Sequence, residues 1–333
     1  MAGCSAFAAR LTAREPQPRR GLVPMEWAVV AYAALTTLLM LCFWHRLGNP
    51  WAMLSLRLWA LAAMFGGWAI YRCHPCRLLM LVRLTLQMAL LSVWYPDTYD
   101  LNIIFPNLDH LFAAAEAWVF GCQPSLEFCL LCPQKWFSEL LSLGYVSYYP
   151  LMVLVTLCYF LFHYGDYQRC CFVIMCSFFL FYLVFIFLPV AGPQYYFHAL
   201  GQLHLPPGDY PALGHYFASH TASLPIPGSD DGLFHQLVTG AHEAGERPTA
   251  AFPSSHVGIT VVLFLLARRI GSVPLMVTVG SLGFLMFFAT FYIQAHYALD
   301  AIAGIPSGIA IYWLSQRLYS LKPTAARPHA HTS

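Results

Sequence analysis

Residues 171–190 read CFVIMCSFFLFYLVFIFLPV, without a single charge. At about 1.5 Å per residue, such a run is long enough to cross most of a hydrocarbon core roughly 30 Å thick. Seven more apolar runs flank it, at 22–44, 51–71, 78–95, 146–164, 254–267, 272–292 and 299–319. The chain is 59% hydrophobic and 10% charged, where a soluble domain carries about 25% charge. So few charges cannot cover a water-facing surface, which excludes a large soluble enzyme and a disordered tail protein. Lys and Arg total 17 against 15 Asp and Glu, a net charge of +2. That balance gives no footprint for nucleic acid. The expected fold is all-α, a polytopic membrane bundle of about eight transmembrane helices.

Basic residues set the expected sidedness. With an inside N-terminus, the inner segments hold Arg10, Arg14, Arg19, Arg20, Arg72, Arg77, Arg169, Arg268, Arg269, Arg317, Lys322 and Arg327. The outer segments hold only Arg46, Lys135 and Arg247, while Arg57 and Arg83 lie within spans. This positive-inside bias places both termini in the cytoplasm. Residues 1–21 and 321–333 are then cytoplasmic tails around one integral membrane domain, 22–320. The first run is too long for a signal peptide and lacks a small-residue cleavage site after it, so it reads as a retained anchor.

The two longest loops, 97–145 and 191–253, fall outside. In the first, Leu108, Leu111, Phe112, Ala115 and Val119 recur at helical spacing with Asp109, His110 and Glu116 between them. That stretch and 136–141 predict short helices in the membrane interface, a cap over the bundle. The second loop is rich in Gly, Pro and His, as in Leu205-Pro206-Pro207-Gly208 and Pro225-Ile226-Pro227-Gly228. It reads as turns and a lid. Cys73–Cys76 and Cys129–Cys132 have the spacing of metal ligands, but the topology puts them on opposite sides, so they cannot share one ion and no metal is expected. Cys122, Cys129 and Cys132 lie where oxidation is permitted. His329 and His331, in the C-terminal tail, read as solvated.

Two histidines carry more information. Ala251-Phe252-Pro253-Ser254-Ser255-His256-Val257-Gly258 stands just before an apolar run, where Pro and Ser mark a helix start. Free N–H groups there, with the hydroxyls of Ser254 and Ser255, make an anion site that His256 would face. His296-Tyr297-Ala298-Leu299-Asp300 puts His and Asp on one helix face. Asp300 would accept a hydrogen bond from one ring nitrogen of His296 and free the other for attack. The span after His256 runs inward and the next returns outward to end near His296, so both histidines sit at outer ends of adjacent helices. From Ser254 to Arg268 is about 21 Å of helix, which would recess the site to headgroup level. An ionisable pair at membrane depth is a functional candidate.

Phe252-Pro253-Ser254-x-His256 followed by His296-Tyr297-x-x-Asp300 resembles the type 2 phosphatidic acid phosphatase superfamily, and within it the inositol phosphorylceramide synthase branch. Residues 287–292 and 188–196 are similar to that branch as well. The resemblance covers roughly 145–320, with 97–145 as an extension, and implies a six-helix catalytic core. It further implies a mechanism without metal or cofactor, in which His296 attacks phosphorus, Asp300 orients His296, and His256 protonates the leaving oxygen and later deprotonates the incoming hydroxyl. Ser254, Ser255, Gln194, Tyr195 and Arg247 would bind substrate.

The chain also departs from the wider family. The family's Ser-Arg before the last His is Ala289-Thr290 here, and its Lys and Arg-Pro motif is replaced by Gly192-Pro193-Gln194. A site with Arg247, Lys135 and helix amides suits a singly charged phosphodiester better than a monoester near −2. The expected reaction moves a phospho-headgroup, such as phosphoinositol, from a glycerophospholipid to a ceramide-like hydroxyl. The alternatives are a hydrolase acting on phosphatidate or a polyprenyl pyrophosphate through the same residues, and a non-enzymatic transporter or scaffold. The expected location is a bacterial inner membrane with the site facing the periplasm, or a lumen.

Overall fold

The structure, a computed structural model, describes residues 9–19, 21–201 and 208–321. The tail residues Arg20, Lys322, Arg327, His329 and His331 and the Leu205–Pro207 turn lie outside the described residues. Among the described residues there are fourteen α-helices and no strand. They are α1 (Pro24–Cys42), α2 (Pro50–Cys73), α3 (Arg77–Ala89), α4 (Leu91–Asn102), α5 (Asp109–Phe120), α6 (Pro124–Leu131), α7 (Lys135–Val146), α8 (Tyr148–Phe162), α9 (Tyr164–Phe187), α10 (Pro193–Leu200), α11 (Leu233–Gly245), α12 (Ser255–Arg269), α13 (Val273–Tyr292) and α14 (Ala298–Ser320).

All eight apolar runs are helical, but not all eight span alone. Among the described residues, six segments are long and apolar enough to cross a membrane: α1, α2, α3 with α4, α9, α13 and α14. A seventh arises if α7 and α8, bent by 45°, count as one. The remaining run, 254–267, forms α12, only 15 residues, or about 22 Å. It packs against α8, α9, α13 and α14. A helix sheathed by protein need not match the thickness of the lipid, so α12 falls short of the length of a lone span and still runs from one end of the bundle toward the other.

The charge-free run 171–190 makes up most of α9, which has a mean hydropathy of 2.7 and is buried almost all round. Helices α1, α4, α8, α12 and α14 all pack on it. An apolar surface on every side makes it the bundle's axis. Two ion pairs brace the N-terminal helices around that axis. Arg57 (α2) makes paired bonds of 2.5 and 2.7 Å to Asp97 (α4). Arg83 (α3) does the same to Glu26 (α1), at 2.6 and 2.5 Å. All four side chains are buried.

Helix starts follow ordinary capping. Pro24 and Pro50 occupy first turns, Glu26 accepts the Val23 N–H, and the Asn49 side chain accepts the Ala52 N–H. Close approach of α12 and α14 depends on glycine. A Cβ at Gly308 would meet the Gly258 carbonyl at 2.5 Å, and one at Gly304 the Ser254 carbonyl at 2.8 Å. Small residues let the two backbones touch, and this contact fixes the start of α12 beside the start of α14.

The end opposite His256 gathers cations and the described part of the N-terminal segment. Arg77 stacks over Tyr164 and Arg169 over Tyr319. Glu15 accepts hydrogen bonds from Tyr71 and Tyr164, and Arg14 donates to the Cys73 carbonyl.

Candidate active site

Ser254 caps α12. Its Oγ accepts the Val257 N–H at 3.4 Å and its own N–H donates to the Asp300 carbonyl at 3.0 Å. In the first turn, the His256 ring stacks on Tyr145, with centroids 4.6 Å apart, and lies 4.4 Å from the Tyr148 ring. Tyr148 is buried, with its hydroxyl on the side of Ser255. The amides of Ser255 and His256 have no acceptor among the described residues, as first-turn donors ordinarily lack one.

His296 lies in the turn between α13 and α14. Its main-chain N–H donates to the Thr290 carbonyl at 3.1 Å. Its Nδ1 is 2.7 Å from the Ala251 carbonyl, and its Nε2 is 3.4 Å from Nδ1 of His256. A carbonyl only accepts, so Nδ1 carries the hydrogen and the Nε2 lone pair faces His256. The sequence pattern names Asp300 as the acceptor, and the geometry corrects this. Asp300 Oδ2 stands 3.7 Å from Nδ1, beyond hydrogen-bond range, and accepts the Tyr297 N–H at 2.8 Å instead. Asp300 thus caps α14 and supplies a fully buried carboxylate beside the imidazole.

The other candidate binding residues divide. Gln194 is buried and tied by its main-chain N–H to the Gln294 carbonyl at 3.0 Å, two residues before His296. Gly192, at φ 101°, lets this segment run against the His296 turn, because a Cβ there would meet the Ala295 carbonyl at 2.6 Å. Tyr195 turns to Phe217 and His242, with ring centroids 6.4 and 6.1 Å away. Arg247 forms no side-chain hydrogen bond or ion pair with the described residues, and lies in electrostatic reach of Tyr95, Tyr99, Asp100 and Tyr195. Its neighbour Glu246 is taken by His242, whose pKa that hydrogen bond raises. Lys135 is paired with Asp231 at 2.5 Å, an exposed contact.

The residues that sequence reading missed lie on α5. Asp109 accepts N–H groups of Ala191 and Gly192 at 2.6 and 2.8 Å and the Tyr297 hydroxyl at 3.1 Å. Glu116 accepts the Ala298 N–H at 2.5 Å and the Ser125 hydroxyl at 3.2 Å. Both side chains are wholly buried. Burial pushes the Glu116 carboxyl up to about 8 and Asp109 to about 6, against the pull of these hydrogen bonds. Asp109, Ala113 and Glu116 recur at i, i+4 and i+7 on the inward face, while Leu111, Trp118 and Val119 point out. The helix therefore acts as a clamp on the His296 turn. Among the described residues, no three His, Cys, Asp or Glu side chains gather to hold a metal ion.

A family profile described as the PAP2 superfamily matches residues 109–314, more than half of the chain. It begins at the first residue of α5 and leaves α1–α4 outside. No curated protein and no solved structure matches the chain.

Proposed function

The chain belongs to the PAP2 superfamily, a lipid phosphatase and phosphotransferase family, and from that premise we propose that it transfers a phospho-headgroup from a glycerophospholipid to a lipid hydroxyl. His296 Nε2 attacks phosphorus. A P–N bond forms while the bond to the diacylglycerol oxygen breaks, and His256 gives that oxygen its proton. The acceptor hydroxyl then attacks phosphorus, His256 takes its proton, and the P–N bond breaks. Asp300 stabilises the charged imidazole of His296. The phosphate oxygens are held by the Ser255 and His256 amides and the Ser255 hydroxyl, with Ser254 setting that turn. Arg247 meets the headgroup, and the buried Gln194 and Tyr195 support the segment beside the His296 turn. The acceptor is a ceramide-like hydroxyl and the headgroup a polyol such as inositol. The site faces the non-cytoplasmic side of a bacterial inner membrane, or a lumen, within one membrane unit spanning 22–320.

The observation that carries this reading is the pair of facing nitrogens, with Nδ1 of His296 held by Ala251 and Nε2 3.4 Å from His256. The scarcity of cations supports a singly charged diester over a monoester: of the two outer cations considered for the site, Lys135 is paired and Arg247 alone stands free among the described residues. The test is to incubate purified protein with labelled phosphatidylinositol, phosphatidate and ceramide and to identify products by mass. Transfer yields phosphoceramide and diacylglycerol. Release of phosphate or phosphoinositol alone makes the protein a hydrolase, and no product from any lipid removes the enzymatic reading.

A further inference from the structure

The proposed chemistry accounts for the top of α12 but not for the groove beneath it. An almost wholly apolar groove of about 440 Å³ runs down between α12 and α13, with Ile305 of α14 at its edge. Its upper wall is Val257 and Thr260. Thr260 lies one turn below His256 on the same helix face, and its hydroxyl donates to the His256 carbonyl at 2.7 Å. The groove thus begins at Val257, next to His256 in the first turn of α12. Gly280 and Gly283 open its far wall: a Cβ at Gly283 would meet the Thr260 methyl at 2.7 Å, and one at Gly280 the Phe264 ring at 3.4 Å. Phe284, 65% exposed, and Ile305, 41% exposed, mark its open side.

We infer that this groove seats one acyl or alkyl chain of the lipid whose phosphate is at His256 and His296. The inference rests on reading those two residues as the phosphate site. Three features commit the groove to a lipid chain. It lies along a helix that starts at the site, its open side is edged by exposed apolar residues of α13 and α14, two helices long and apolar enough to cross a membrane, and its lining offers almost nothing polar. Hydrocarbon gains little from leaving hydrocarbon, so the groove does not supply affinity by burial. It supplies shape, fixing the depth and rotation of the lipid so that phosphorus faces Nε2, and its loss acts as misplacement of the reacting atoms.

Two measurements test this. First, the unmodified protein and His296→Ala are irradiated in detergent with a phospholipid bearing a diazirine in one acyl chain. The label is expected on peptides covering 257–264 and 279–288, reduced at least fivefold by excess unlabelled long-chain phospholipid and by Gly280→Phe. Label spread evenly over outward residues such as Trp59 and Trp313, without competition, overturns the inference. Second, rates are compared for long-chain and six-carbon-chain donors. Val261→Trp and Gly280→Phe are expected to lower the long-to-short rate ratio at least tenfold. Turnover with an unmoved ratio removes the groove and leaves the proposed function standing. Competed labelling without turnover of any lipid keeps the groove and removes that function.

Discussion

The imidazole of His296 is held by the main-chain carbonyl of Ala251, 45 positions earlier, at 2.7 Å. Ala251 is itself fixed, because its N–H donates to the Val190 carbonyl at 3.0 Å. A main-chain acceptor cannot take up a proton at neutral pH, so it sets the tautomer at Nδ1 and leaves the Nε2 lone pair facing His256. Asp300 stands 3.7 Å away, and in the proposed mechanism it acts by its charge.

That separation of roles predicts different behaviour for two substitutions of Asp300. Asp300→Asn keeps an acceptor for the Tyr297 N–H and loses only the charge. Turnover is expected to fall by one to two orders of magnitude (about 10²-fold at most) with the melting temperature little changed. Asp300→Ala also removes the cap, worth about 1 kcal/mol, so it is expected to lose both turnover and melting temperature. Paired kinetic and thermal measurements on the two variants check this. Equal activity in the Asp300→Asn variant and the unmodified protein would show that the charge is idle.

His256 donates the proton to the leaving oxygen in the proposed mechanism. His256→Ala is expected to lower turnover of a phospholipid by about 10²–10⁴-fold. An aryl phosphodiester has a leaving group that departs without a proton, and its turnover is expected to fall far less. Comparison of the two substrates is the measurement, and an equal loss on both would assign His256 a binding role instead.

Glu116 predicts a pH dependence of stability. Its carboxyl is raised to about 8 in the folded chain by burial, with the charge of Asp300 adding in the same direction, against about 4.3 unfolded. Between these values the folded state holds more protons than the unfolded one, so stability falls as pH rises. The melting temperature is expected to decline from about pH 5 to pH 8, and Glu116→Gln is expected to flatten that decline. Asp109, raised to about 6, adds in the same direction at the acid end. A melting temperature that rises across this range would contradict the assignment.

The Arg57–Asp97 pair is predicted to matter more when halved than when removed. Asp97→Asn leaves a buried guanidinium without its counter-ion and is expected to cost about 3–5 kcal/mol. The double substitution Arg57→Met with Asp97→Leu is expected to recover most of that. Thermal unfolding of the single and double variants measures the difference.

Much of the architecture was legible because its causes are local. A charge-free run such as 171–190 has to be a buried or membrane helix wherever it occurs. The inward and outward sense of successive runs also brings His256 and His296 to one end without any knowledge of packing. The Ala251 carbonyl was not legible, since every residue has one and only the tertiary turn aims it. Asp109 and Glu116 are visible as i and i+7 on one helix, but the apolar stripe between them reads as the face that meets the protein. In a membrane the exterior is apolar too, and the polar face turns inward to find partners. Tyr145 and Tyr148 gave no signal, because aromatic residues at that depth are common interfacial anchors.

The central claim is a covalent bond between His296 and phosphorus. The direct measurement is to quench the protein rapidly after mixing with a headgroup-labelled glycerophospholipid in the absence of any acceptor lipid, and to map the label by mass. The account predicts an acid-labile adduct carrying the phospho-headgroup on the peptide that contains His296, and none in His296→Ala. Turnover at full rate by His296→Ala, or an adduct on any other residue of the chain, would contradict it.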